Sequence, residues 1–430
     1  MTQLSQADVT GGQRRLGRNF WLLFGGQGLS LVGSETVIVA APVVAVTVLH
    51  ASAIQIGILS AAQTVAFLLV ALPAGLLVDR VGAWPAMWWS DAVRTVLAGS
   101  VAVLVWTSHL GFAGFAVLTA ATGAFAVLFD VAYPTFLPQV VPRDLLPSAN
   151  SRLSGMQSVA QVSGPPVGGV LVGAAGPGGA FLLDSISFVM SLASLGVIGR
   201  PRRVEPDERA AREPWFRALT NGLRFVWSER ILRAGILWSG TANIFVVMVE
   251  TMGVLYLLRN LRFSAALVGL LLAFGAAGGV LGALLVRRIN AALGTNRATW
   301  MAMTIFALPG LLIPLAQRGP GALLFGIGWM SWSLSATLTS INLMTYRQRV
   351  TPGPMLGRVN AAARWVTWGT LPAGGLIGGL LGSWIGVHTT LWLAVVGGCL
   401  SGLWLFFSPL RTGMSLEADH DATAGDLVPE

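Results

Sequence analysis

Apolar runs of about twenty residues recur along the whole chain, separated by short polar turns. A run of that length crosses a hydrocarbon core of ~30 Å as an α-helix. The pattern predicts twelve of them, over 20–48, 53–78, 85–107, 110–137, 152–175, 178–199, 233–257, 265–286, 298–316, 321–345, 360–383 and 387–409. One interruption is long, 200–232, and it is rich in arginine. It divides the chain into an N-terminal segment 1–18, a six-helix half 19–199, a linker 200–232, a second six-helix half 233–410 and a tail 411–430. Within the linker, Trp215, Leu219, Leu223 and Val226 fall on one side of a helix ending at Ser228. That stretch reads either as a helix lying on the membrane surface or as a solvated connection.

Composition agrees with a membrane bundle. Hydrophobic residues are 54% of the 430 and charged residues 10%, with a mean hydropathy of +0.71; soluble domains carry roughly 25% charged residues. The net charge is +9, and all 27 basic residues are arginine. A nucleic-acid partner would be one reading of that charge, but position argues against it. If successive helices alternate in direction, Arg14, Arg15, Arg18, Arg80, Arg143, Arg152, the cluster Arg200 to Arg230, Arg287, Arg288, Arg297, Arg347, Arg349, Arg358 and Arg411 share one side. Only Arg259, Arg262 and Arg318 fall opposite. The positive-inside rule then predicts a cytoplasmic-membrane protein with both termini and the linker inside. The first apolar run is too long for a cleaved signal peptide and reads as a retained helix. Cys399 is alone, so no intrachain disulfide is expected. The acidic tail is expected to be disordered.

The two halves echo each other. Gly75-Leu76-Leu77-Val78-Asp79-Arg80-Val81-Gly82 matches Ala283-Leu284-Leu285-Val286-Arg287-Arg288-Ile289-Asn290, and Pro166-Val167-Gly168-Gly169 matches Pro372-Ala373-Gly374-Gly375. The two matches agree in offset to within two residues, as expected for a duplicated transporter. Gly164-Pro165-Pro166-Val167-Gly168-Gly169 also has glycines one helical turn apart, which lets a neighbouring helix approach closely while the prolines loosen the hydrogen-bond ladder.

These segments carry a resemblance. Gly164, Pro165, Gly168 and Gly169 form a stretch similar to the antiporter motif in the fifth helix of major facilitator exporters. Gly75, Asp79, Arg80 and Gly82 resemble the conserved cytoplasmic loop motif of that superfamily. Phe129-Asp130-Val131-Ala132-Tyr133-Pro134, Leu183-Asp184-Ser185-Ile186-Ser187-Phe188 and Gly357-Arg358-Val359-Asn360 resemble its macrolide-efflux and enterobactin-exporter branch. Two departures stand out: Ala83 and Trp84 replace the basic continuation of the loop motif, and Ser34 follows Gly33 where the branch often has an acid, which here is Glu35. The resemblance implies an all-α membrane fold of twelve transmembrane helices in two pseudo-symmetric six-helix halves, with export by exchange.

No enzyme chemistry stands out. His50, His109, His388 and His420 lack metal-ligand spacing, and without lysine there is no phosphate-binding loop. Neither cofactor nor metal is expected, and transport must draw on an ion or substrate gradient. Charges within the spans are the informative residues, because each costs ~2.5–3.5 kcal/mol in hydrocarbon. Asp91 and Arg94, three apart near the cytoplasmic end, are expected to join Asp79 and Arg80 in a gate network, with Asp130 serving the same end. Asp184 is expected to pair or cap locally near the outer end of its helix. Glu35 and Glu250 each lie deep in the first helix of a half, with no arginine within a turn. They read as proton-coupling groups, or as neutral acids hydrogen-bonded to Gln27, Ser34 or Asn243. The pairs Trp329/Trp332 and Trp365/Trp368, with Gln27 and Asn243, are candidates for a substrate cavity; packing or lipid-facing roles are the alternative for the tryptophans. The expected protein is therefore a monomeric proton-coupled exporter of a small amphipathic molecule such as an antibiotic. A proton-coupled importer and a non-transporting sensor are the alternatives.

Overall fold

In a computed structural model the described residues, 16–200 and 215–411, are helical and contain no strand. The expectations for the N-terminal segment, much of the linker and the acidic tail lie outside the described residues. Nine helices among the described residues are long and apolar enough to cross a membrane. One of them, Leu146–Ile198, turns back at Gly176, where φ is 71°, and so crosses twice. Ala83–Trp106 and the two-piece Leu356–Gly369 with Leu371–Trp384 complete twelve passages.

The passages are α1 (Arg18–Val43), α2 (Ala53–Val81), α3 (Ala83–Trp106), α4 (Phe112–Val140), α5 (146–175) and α6 (177–198). The second half has α7 (Arg230–Leu255), α8 (Ala265–Leu293), α9 (from Thr295–Met301 onward), α10 (Ala322–Val350), α11 (the two-piece helix) and α12 (Val387–Ser401). The linker helix is Trp215–Ser228. We call the side of the bundle that carries it the linker side. Helices outrun their apolar stretches mainly there: α2, α4, α8 and α10 continue past it, and α5 and α11 begin before it. Polar turns that leave hydrocarbon keep their helical hydrogen bonds, so hydropathy marks the membrane and not the helix end. The ninth passage is irregular. A π-turn and a 3₁₀ stretch carry it past Pro309 and Pro314, which cannot donate to the ladder.

The repeat is written into the backbone. Ala53–Val81 and Ala265–Leu293 are both 29 residues, displaced by 212 positions. The π-turns Val44–Val48 and Tyr256–Asn260 stand at the same displacement. Positive-φ residues pair too: His50 with Arg262 and Gly82 with Gly294 at that displacement, and Gly176 with Gly386 two positions short of it. This corrects the sequence register, which matched Asp79 to Arg287 and Pro166 to Pro372 and was one helical turn short. Glycines recurring every fourth residue match themselves after a slip of one turn, so local similarity cannot choose between registers. The left-handed turns can, because Gly82 and Gly294 each hold a conformation that disfavours a Cβ.

Hydrophobic cores show how the halves meet. On the linker side the first half has its own core around Phe20, Met87, Phe136 and Leu195. On the opposite, far side one core contains Val39, Val44, Ile56 and Phe115 together with Met252 and Leu255 of the second half. Contacts across the halves concentrate there. Gly57 of α2 lies against Gly375 and Gly379 of α11, and Gly169 of α5 against Ala265 and Ala266 of α8. Arg259 donates to the Ala51 carbonyl at 2.7 Å. Small residues allow this close approach. Further towards the linker side α2 meets α11 again through Phe67 and Trp368, at 4.6 Å.

The C-terminal turns of the linker helix face the protein, not a membrane surface or solvent. Val226 is fully buried, Gly222 lies against the Arg358 carbonyl and Ala362 of α11, and Glu229 accepts from Tyr346 of α10 at 2.8 Å. The helix is a docked part of the second half.

Candidate functional site

A cavity of about 530 Å³ lies between the halves near mid-depth. Its walls come from α1, α2, α4 and α5 on one side and from α7, α8 and α10 on the other. Glu35 and Glu250 both line it, near enough for their charges to act on one another. Ser60 and Thr251 meet across the halves at 3.4 Å beside them. Gln63, Thr119, Gln161 and Ser333 supply neutral polar groups, Phe115 and Trp329 aromatic ones. No basic side chain is among the lining residues. The site therefore offers two acids on a mostly apolar wall.

Two helices position Glu35. Gly164 of α5 lies directly on the Glu35 backbone and Cβ, and Gly168 on the Thr36 backbone. A side chain at either glycine would push α1 away. The opposite face of the same motif meets the second half, with Gly169 against α8 and the Pro165 carbonyl against Gly269. The six-residue stretch thus holds the acid-bearing helix and the far-side seam together. Gly75 is different: open space surrounds it. Asp79 and Arg80 are exposed at the linker-side end of α2.

Behind α1 the first half holds a charged core. Asp91 and Arg94 pair at 3.6 Å, as their spacing predicts. Arg94 turns into the half, reaching Ser34 at 3.3 Å and lying 3.9 Å over the Phe188 ring. Ser34 donates in turn to Asp184 at 3.1 Å. Asp184 therefore has a partner on another helix instead of the local one expected from its position. Helical spacing shows neighbours within a helix and is blind to a contact between α1 and α6. Asp130 is exposed in the linker-side half of α4, within the fields of Arg94 and Arg364. Arg364 also lies 4.9 Å from the Trp368 ring.

The cavity candidates separate. Trp329 lines the cavity. Trp332, one turn on, is 2% exposed and fills a space against Gly310 and Gly398. Trp368 packs against Phe67 of α2 at 4.6 Å, and Trp365 is exposed. Asn243 donates to the Thr367 carbonyl at 2.7 Å, binding α7 to α11. Neither it nor Gln27 is among the lining residues. Gln161, Gln63 and Ser333 were missed because single neutral polar residues in apolar helices carry no signal of direction.

Residues 23–373 match the sequence profile of the Major Facilitator Superfamily. The chain is 29% identical over 343 residues to the uncharacterized MFS-type transporter y4rN of Sinorhizobium fredii, covering 77% of this chain and 80% of that one. It is 25% identical to the multidrug efflux pump Tap of Mycolicibacterium fortuitum, covering 84% of this chain and 88% of the pump. Among solved structures, the nucleoside transporter NupG superposes with a TM-score of 0.74 at 10% identity, covering 90% of this chain and 99% of NupG. The profile match across most of the chain, on a bundle of two six-helix halves around a central cavity, makes this protein a multi-pass membrane transporter of the major facilitator superfamily.

Proposed function

We propose that this transporter exports a small amphipathic organic molecule, neutral or cationic, across the cytoplasmic membrane in exchange for protons. The observation that carries the proposal is the cavity, where Glu35 and Glu250, one from each half, meet with no basic side chain beside them. In low dielectric a carboxyl favours its neutral form unless a cation joins it. Proton and cationic substrate then compete for the same pair of acids, which is the chemistry of exchange. Trp329 and Phe115 supply apolar and cation–π surface.

Direction rests on the likeness of Gly164 to Gly169 to the antiporter motif and on the relative named an efflux pump. The arginine distribution supports a cytoplasmic linker side, with both termini inside. Export in that orientation loads the cavity from the cytoplasm. Asp79, Arg80, Asp130 and Arg364 would then serve as a cytoplasmic gate, with Asp91 and Arg94 packed behind it in the first half. The halves 19–199 and 233–410 rock about the cavity, and one chain suffices because it supplies both walls.

The test is transport in inside-out vesicles under an imposed pH gradient. Glu35→Gln keeps size and hydrogen bonding but fixes the neutral state. Substrate binding should persist and downhill exchange survive, while accumulation driven by the gradient collapses. A variant that still concentrates substrate in proportion to ΔpH would exclude Glu35 as the coupling group, and Glu250→Gln would then be tested in the same assay.

A further inference from the structure

A second cavity, of about 590 Å³, opens on the linker side where the start of α7 meets the end of α12. Arg230, Arg233 and Arg411 line it beside Trp404 and Phe407. All three arginines are exposed. Arg233 reaches only the Trp227 carbonyl, at 3.5 Å, and Arg411 lies over the Phe406 ring at 4.6 Å. Among the described residues none of the three has a carboxylate within ion-pair distance. Glu229, the nearest acid in sequence, is engaged by the Leu232 amide and the Tyr346 hydroxyl.

Two features make this arrangement unusual. Arg230 and Arg233 occupy the first turn of α7, where the helix dipole disfavours cations and favours an anion. The repeat carries Arg230, whose equivalent is Arg18, but not Arg233. At the equivalent positions of α1 and α6 the first half has Arg18, Trp21, Ser194 and Val197, where the second half has Arg230, Arg233, Trp404 and Phe407. Arg233, Trp404 and Phe407 are thus particular to one half of a duplicated fold. Its surroundings indicate what it meets. Trp404 is 46% and Phe407 78% exposed, and aromatics of that kind sit at the level of lipid headgroups.

We propose that this groove binds the phosphate of an anionic phospholipid, with the acyl chains lying against Trp404 and Phe407. Guanidinium groups match phosphate in charge and in bidentate geometry, and basic pockets at helix ends recruit anionic headgroups. The assignment needs only the membrane-embedded bundle and is independent of substrate, direction and coupling.

Native mass spectrometry of the full chain released from nanodiscs of equal phosphatidylglycerol and phosphatidylcholine tests it. The parent should retain phosphatidylglycerol over phosphatidylcholine by about tenfold or more. R230Q/R233Q/R411Q should lose that preference with an unchanged melting temperature, whereas R287Q/R288Q, which removes two other exposed linker-side arginines, should keep it. Should the triple variant fail to fold, R233Q alone should lower the preference by severalfold. Retention unaffected by R233Q and by the triple variant, or lost equally in R287Q/R288Q, would overturn the site. Displacement of the lipid by excess inorganic phosphate would make the ligand free phosphate. Binding that appears only after removal of residues 414–430 would make the acidic tail the occupant. Either result overturns the lipid assignment.

Discussion

The two halves share a backbone and differ in what they bury. Behind α1 the first half holds Asp91, Arg94, Ser34 and Asp184 in one connected group. At the equivalent positions the second half has Met303, Phe306, Val246 and Ala394, of which Met303 and Ala394 are fully buried in an apolar core. Its own polar group lies elsewhere and is neutral: Asn290, Asn342 and Thr299 bind one another at 2.8–3.0 Å. The same fold therefore stands without buried charge. Charges that folding does not require, and that cost free energy to desolvate, point to a working part. The half that carries them also carries Glu35, whose neighbour Ser34 belongs to the group. A comparison of the glycines adds to this. Gly164 and Gly168 pack on Glu35 and Thr36, and Gly374 and Gly378 pack on Ile244 and Met248 of α7. The close packing of glycine on helix is common to both halves; the acid at the contact belongs to one.

The largest effect expected from breaking this comparison is at Arg94. Arg94→Met leaves Asp91 and Asp184 buried without their cation, at a cost of about 3–5 kcal/mol, visible as a large fall in melting temperature in detergent. Installing the second half's residues together, D91M/R94F/D184A, should restore most of that stability and abolish transport. A triple variant as unstable as the single one would show that pairing is not what the arginine provides.

A middle-sized effect separates packing from coupling. Gly164→Ala and Gly374→Ala each force a Cβ onto the neighbouring helix and should each destabilise by about 1–3 kcal/mol. Only Gly164→Ala should strongly uncouple transport from the pH gradient, because only there does the contacted residue itself, Glu35, carry a carboxyl at the cavity. Equal uncoupling in both variants would return the motif to a purely structural role.

The smallest expected effect concerns the seam. Arg259→Gln removes one part-buried hydrogen bond that ties the halves on the far side, worth about 1 kcal/mol. Spin-label distances across that side should shift towards the separated state by a few-fold in population. Distances identical to the parent would mean that the glycine contacts alone hold the seam.

Much of the architecture was legible in the residue pattern, since a hydrocarbon core demands a run of fixed length and satisfied backbone whatever the side chains do next. Twelve passages, the division at the linker, the pairing of Asp91 with Arg94 and the singularity of Glu35 and Glu250 all follow from local order along the chain. What local order cannot supply is which face of a lipid-embedded helix turns inward, because lipid and protein core are equally apolar. For that reason Trp329 and Trp332, one turn apart, took different fates, and Asn243 went to a helix contact instead of the cavity. The repeat register likewise needed the left-handed turns at Gly82 and Gly294. Only the tertiary structure brought Glu35 and Glu250 to one cavity, joined Asp184 to α1 and set Gly164 on Glu35. Each of these depends on close approach between helices far apart in sequence, and such approaches are decided by how small residues from the two sides fit.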